Sequence, residues 1–183
     1  QQKGLTLFAQ ADFTFRAESH YVPNDNLFNQ QTFLNRLSDI DIDAPEAWDI
    51  TQGNPNLVVA VMDGNAYDLR HTDMTGKFVS PYDAVNDDND PSATGTSDNH
   101  GTPCAGLIGA ATNNGTGVAG VGFNVKVMPI VIGFDLNGGS FNTNNTIIGR
   151  ATSKITGTAG VVAVSNSWGS SSSDAAREQL YTQ

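Results

Sequence analysis

Apolar positions along the chain fall into two kinds of run. Leu57-Val58-Val59-Ala60-Val61-Met62 is apolar without alternation and ends in Asp63. Val125-Lys126-Val127-Met128-Pro129-Ile130-Val131-Ile132 and residues 161–167 repeat the pattern. Continuous runs of this length describe strands buried on both faces, as in a parallel sheet. Between them lie stretches with helical spacing. A short helix starts at Pro45, whose fixed φ suits a first helical turn, and Gln52-Gly53-Asn54-Pro55 ends it. Residues 100–112 form a second helix, with Cys104, Leu107, Ile108 and Ala111 near one stripe, stopped by Asn113-Asn114-Gly115-Thr116-Gly117. Residues 144–155 form a third, closed by Gly157, and Ser173-Asp174 caps a last one over 175–181. Strands alternating with helices predict an α/β fold with a parallel sheet and helices on both faces.

Two stretches fall outside that rhythm. Residues 1–22 alternate briefly, as in Leu5-Thr6-Leu7-Phe8 and Phe13-Thr14-Phe15, and read as an extended arm or the remnant of a pro-segment. The folded unit is then 23–183. The segment from Gly64 to Asn99 is long and polar, and a loop of that length in a compact domain usually carries function.

Charge narrows the field. Nine Lys plus Arg stand against nineteen Asp plus Glu, a net charge of −10, which disfavours nucleic acid as a partner. No apolar run reaches the ~18 residues of a membrane span. The single cysteine, Cys104, excludes an internal disulfide. Low charge, at 15% of residues, with abundant small polar residues fits a secreted or cell-surface protein. Asp83, Asp87, Asp88 and Asp90 crowd one loop, which reads either as a cation site or as a solvated acidic surface.

The candidate chemistry lies at the ends of two elements. Asp63 closes a buried strand, at the sheet edge where α/β sites form. His100 opens a helix. A buried carboxylate bonded to one imidazole nitrogen fixes the tautomer and leaves the other nitrogen free to take a proton from a nucleophile. Alone, each residue reads more readily as a cap or a core group; the pair in this order, with the flanking residues below, favours catalysis.

The Val-Ala-Val-Met-Asp63 strand, His100-Gly101-Thr102-Pro103-Cys104-Ala105-Gly106 and Val164-Ser165-Asn166-Ser167-Trp168-Gly169 together resemble the subtilisin-like serine proteases, over roughly residues 22–183. The proline-to-phenylalanine turn at 23–28 and Cys104 beside the histidine look closest to kexin-like and related bacterial members. The resemblance implies that Asp63 and His100 are two members of an Asp-His-Ser triad. It implies that a peptide lies as a strand between Gly138, Gly139 and Ser140 on one side and Ser167, Trp168 and Gly169 on the other. It implies a calcium site at Asp25, Asp73, the Asn114 side chain and the carbonyls of Ala111, Thr116 and Val118, an all-oxygen set suited to a hard cation. A second calcium site falls at Asp83, Asp88 and Asp90, with a solvated acidic loop as the alternative.

The sequence departs from the family pattern in two places. The aspartate is followed by Gly64-Asn65-Ala66 where Ser or Thr and then Gly is usual, which puts the local turn in question. The serine motif is absent: the one Gly-Thr-Ser, at 95–97, precedes His100 in a polar loop and is rejected as the nucleophile, and Asn166 belongs to the substrate strand rather than to an oxyanion hole. A central-type strand at 161–167 so near the end of the chain also predicts a long apolar edge, which proteins avoid. The expectation is therefore the N-terminal part of a serine endopeptidase whose serine sits on a C-terminal segment held as a second chain. The competing readings are a pseudoenzyme or calcium-dependent peptide-binding module, and an inactive degradation fragment or structural calcium protein.

Overall fold

The computed structural model describes residues 20–92, 99–137 and 140–169. The arm over 1–19, the Gly95-Thr96-Ser97 segment, Gly138 and Gly139, and the helix expected at 175–181 lie outside them.

Four parallel strands form the sheet: β1 (Val58–Asp63), β2 (Tyr82–Asp83), β3 (Lys126–Val131) and β6 (Val161–Asn166), in the order β2-β3-β1-β6. A separate antiparallel pair, β4 (Phe134–Asn137) and β5 (Ser140–Asn142), follows β3. Among the described residues three α-helices complete the frame: α1 (Ala44–Ile50), α2 (Gly101–Gly109) and α3 (Asn145–Thr156). The Asn144 side chain caps α3, accepting from Ile147 N–H at 3.0 Å.

The side-chain period of two sorts the two faces of the sheet. Val58, Ala60 and Met62 of β1 join Met128 and Ile130 of β3 against Ile147, Ala151 and Ile155 of α3. Val61 of β1 joins Val127 and Val131 of β3 with Ala105 of α2, Tyr67 and Met74. Helices therefore cover both faces, as the continuous apolar runs require. The same parity puts Asp63 on the α2 face, where the helix presents its amino end. A third cluster, Phe28, Leu34, Ala44, Trp48 and Ala119, fastens the segment before β1 to α1.

Three differences from the expected elements have physical causes. The second helix ends at Gly109 rather than at 112, because Ala110 turns extended and Ala111 N–H is drawn to the Asp73 carbonyl at 2.7 Å. The polar 64–99 segment contributes β2, two residues long and without a readable period. β6 is exposed where a buried strand is expected: Val162 is 62% and Val164 39% accessible, since among the described residues nothing packs on its outer side.

Lys77 carries a testable consequence of burial. It is 7% accessible and its ammonium donates to the Phe123 carbonyl at 2.7 Å. Burial, and then the Lys126 charge, pushes its pKa down to about 8, against ~10.4 in an unfolded chain. Below about pH 8 both states hold the proton and the destabilisation is present in full. As pH rises from there towards ~10.4 the folded state releases its proton first, so stability increases. Urea midpoints across this window should rise for the native chain and stay level for Lys77→Met; an equal rise in the variant would contradict the assignment.

Candidate active site

Asp63 is the last residue of β1 and is almost fully buried, its side chain 1% accessible. Its Oδ1 accepts Asn65 N–H at 2.9 Å, so the chain turns directly around the carboxylate. His100 stands just before α2 with helical backbone angles, and its side chain makes no helix cap. The imidazole reaches across instead: Nδ1 lies 2.9 Å from Asp63 Oδ2 and 3.1 Å from Oδ1. With the proton on Nδ1, the ring donates to Asp63 and Nε2 keeps its lone pair. The His100 side chain is 56% accessible, so one end of this pair is dry and the other open.

The segment after Asp63 locks the two elements together. The Tyr67 hydroxyl donates to the Val61 carbonyl at 2.6 Å, and its ring packs against Gly101. Burial, reinforced by the Asp63 charge, drives the Tyr67 phenol well above its usual range, so it remains a neutral donor. Asp68 N–H donates to Thr102 Oγ1 at 2.8 Å. Tyr67 and Thr102 thus hold the amino end of α2 against the carboxyl end of β1. Neither is prominent as a site residue in the sequence; the signal available was Gly101-Thr102 directly after the histidine.

The unusual Gly64 also has a cause. A Cβ there would lie 2.0 Å from Phe141 Cδ1. Phe141 in β5 stacks edge-on against Trp168, with ring centroids 6.3 Å apart. The missing side chain lets the β4-β5 pair close over the carboxyl end of β1, and the Asp63–His100 contact is kept. Trp168 N–H is buried and has no hydrogen-bond partner among the described residues.

Of the expected peptide-binding positions, Ser140 begins β5, and Ser167, Trp168 and Gly169 follow β6; Ser140 and Ser167 are exposed. Phe141 and Trp168 bring these two segments together. The Cys104 thiol lies 3.8 Å from both nitrogens of His100. Burial pushes this thiol up, Ser167 pulls the other way and the Asp63 charge adds to the rise.

The first expected cation site is drawn together around two carboxylates. Asp25 and Asp73 are 5% and 3% accessible, and among the described residues neither forms an ion pair. Asp25 accepts N–H bonds from Asn113 at 2.7 Å and Asn114 at 3.3 Å. Asp73 accepts the Asn114 amide at 3.0 Å and Val118 N–H at 2.8 Å. The loop from Ala111 to Val118 therefore wraps both acids. Gly117, at φ 60°, permits this, since a Cβ there would meet Asp73 Oδ2 at 2.1 Å. Asn114 Oδ1 is engaged by Thr116 N–H at 2.8 Å.

In the second acidic group Asp83 and Asp88 face each other across a backbone bridge, Asp83 N–H donating to the Asp88 carbonyl at 2.9 Å and Asp88 N–H to the Asp83 carbonyl at 3.1 Å. Asp83 is buried and accepts from Val85 N–H, Asn86 N–H and the Asn86 amide at 2.7, 3.1 and 2.8 Å. Asp88 accepts Asp90 N–H at 2.9 Å and Asp90 accepts Ser92 N–H at 3.2 Å. Each carboxylate closes its own turn, as short acidic side chains do. Asp83, Asp88 and Asp90 stay a candidate second cation site, with the carboxylate of Asp83 buried and those of Asp88 and Asp90 exposed. Among the described residues the one mixed metal-ligating group is Asp63, His100 and Cys104.

A sequence model of the subtilase family matches residues 54–183. The chain belongs to that family. Subtilases similar to it include the "Thermophilic serine proteinase" of Bacillus sp. (strain AK1), 34% identical over 126 residues, covering 69% of this chain and 29% of the relative. The "Calcium-dependent protease" of Trichormus variabilis is 32% identical over 116 residues, covering 63% of this chain and 17% of the relative. Among solved structures, the Aeromonas sobria serine protease in complex with its chaperone has a TM-score of 0.70 at 19% identity, over 86% of this chain and 28% of that one, a likeness of fold. This chain spans less than a third of the length of each.

The Gly64–Phe141 contact predicts that Gly64→Ala destabilises the chain by about 1–3 kcal/mol, as overpacking does. Urea denaturation of Gly64→Ala, Phe141→Ala and the double variant should show coupling, the second change relieving the first. Additive effects would mean that the two residues do not meet.

Proposed function

We propose that this chain supplies the aspartate and histidine of a serine endopeptidase and both edges of its peptide cleft. The observation that carries the reading is the Asp63–His100 contact, 2.9 Å between a buried carboxylate and a half-exposed ring. Asp63 orients the ring and stabilises the imidazolium that forms. His100 Nε2 takes the proton of an attacking serine and returns it to the leaving amine. The serine comes from a segment of the same protease other than these 183 residues. A backbone amide and an Asn there stabilise the oxyanion. The polypeptide substrate runs as a strand between Gly138–Ser140 and Ser167–Gly169, with main-chain bonds for affinity.

The exposed Val162 and Val164 on β6 support a further segment packing there, which would cover an otherwise open apolar edge. Secretion fits the composition, and among the described residues no helix is long and apolar enough to cross a membrane.

Calcium is proposed at Asp25 and Asp73, with Asn114 and the carbonyls of Ala111, Thr116 and Val118. Two buried carboxylates that have no cationic partner among the described residues, inside a loop rich in carbonyls, suit a hard cation. The ion would fasten the segment before Phe28 to the loop after α2, at a distance from the reaction. Its part is stability.

Two measurements test these assignments. In the complete protease, His100→Ala should lower peptide hydrolysis by about 10⁴-fold or more; near-normal turnover would remove His100 from the role of base. Chelation should lower the melting temperature, because a ligand bound only by the folded state stabilises it. Asp73→Ala should melt lower and no longer respond to chelator, whereas a native chain indifferent to chelator would refute the site.

A further inference from the structure

One face of α1 is left open by the described residues. Ala44, Ala47 and Trp48 stand at the spacing of a single helical face. With Ile42, Val121 and Phe123 they line a groove of about 250 Å³. Its floor is apolar: Trp48 is buried, and its indole N–H is already spent on the Val121 carbonyl at 3.0 Å. Its rim is apolar too, with Ile42 54% and Val121 43% accessible. A cavity of ~150 Å³ holds a benzene ring. The groove therefore has room for one aromatic side chain and the backbone that carries it. It lies away from the reaction: Val121 and Gly122 N–H donate to the Leu107 and Ile108 carbonyls, towards the carboxyl end of α2, whereas His100 stands at the amino end.

The entry point of the chain identifies the occupant. His20, the first described residue, is held on α1, with Nδ1 2.9 Å from Asp49 Oδ2 and Nε2 3.5 Å from Glu46 Oε1. Tyr21 N–H donates to Asp49 Oδ1 at 3.0 Å, and the Tyr21 ring meets Phe123 edge-on with centroids 5.5 Å apart. Phe123 in turn packs edge-on against Trp48. The nineteen residues before His20 are thus tethered at the rim of the groove. Among them Phe13 and Phe15 flank Thr14, a spacing that turns both rings to one side of an extended chain. Phe15 lies five residues before His20, a reach of up to ~17 Å. Arg16 adjoins it. The opposing segment, 33–50, holds Asp39, Asp41, Asp43, Glu46 and Asp49 against Arg36 as its one cation.

We propose that the N-terminal arm docks on α1, with a ring of Phe13-Thr14-Phe15 in the groove and Arg16 against the acidic rim. The arm is then a clasp over the cluster that Phe28, Trp48 and Ala119 form beneath, and it leaves the peptide cleft open. The inference stands whether or not His100 is the base.

The test uses the complete protease with residues 1–19 attached and its serine blocked by a phosphonate, so that it does not cut itself. Trypsin cleavage after Arg16 is timed in the native protein, in Ala47→Arg, which fills the groove from an exposed helical position, and in Phe13→Ser with Phe15→Ser. Docking predicts cleavage about tenfold or more faster in both variants, since a protease cuts the undocked population. Amide exchange should quicken over 42–53 and 121–123 in both and stay unchanged around Asp63 and His100. The phenylalanine variant carries the test alone should Ala47→Arg fail to fold. Equal cleavage rates, or exchange over the groove that does not respond to the loss of Phe13 and Phe15, would overturn the proposal. Groove protection that scales with protein concentration would also overturn it, and would assign the face to a second copy of the chain.

Discussion

The whole arrangement depends on one hydrogen-bonded contact between elements far apart in sequence, the Asp63 carboxylate and the His100 ring. It exists because two regular periods meet. A period of two along β1 turns Asp63 to the side of the sheet that α2 covers. A helix that starts at that sheet edge then presents the residue just before it to the carboxylate. Tyr67 and Thr102 fix the remaining freedom, one through the Val61 carbonyl and the other through Asp68 N–H. Burial of the aspartate gives the contact its direction, since an almost fully desolvated carboxylate keeps the donor it has.

Much of this was legible in the sequence, and the reasons differ by element. β1 and β3 announce themselves because strands buried on both faces must be apolar throughout. α3 is readable from its caps, Asn144 and Gly157. β2 and the β4-β5 pair are not, since a strand of two to four residues has no period to show. The Asp63–His100 pair was readable because its residue types stand at the ends of two strongly patterned elements. The support was not: Tyr67 acts through tertiary contacts that no local pattern encodes.

The two acidic groups show the limit most clearly. Both look like cation sites by composition. Around Asp25 and Asp73 the loop folds inward, and its amides and side chains converge on carboxylates drawn from distant segments. Around Asp83, Asp88 and Asp90 each acid is satisfied by amides two or three residues on. Sequence separation distinguishes them: nearby acids close turns, whereas distant ones are brought together only by the tertiary fold. Gly64 makes the complementary point. As a departure from the family pattern it put the Asp63 turn in question, yet it fits because Phe141 occupies the space where its side chain would be.

The central claim is that Asp63 holds His100 in the tautomer that activates a serine supplied from beyond this stretch. It is tested most directly by the rate at which a fluorophosphonate modifies that serine in the complete protease, native against Asp63→Asn. An asparagine keeps the shape of the contact and favours the wrong ring tautomer, so the account predicts a fall of several orders of magnitude. An unchanged rate would contradict it.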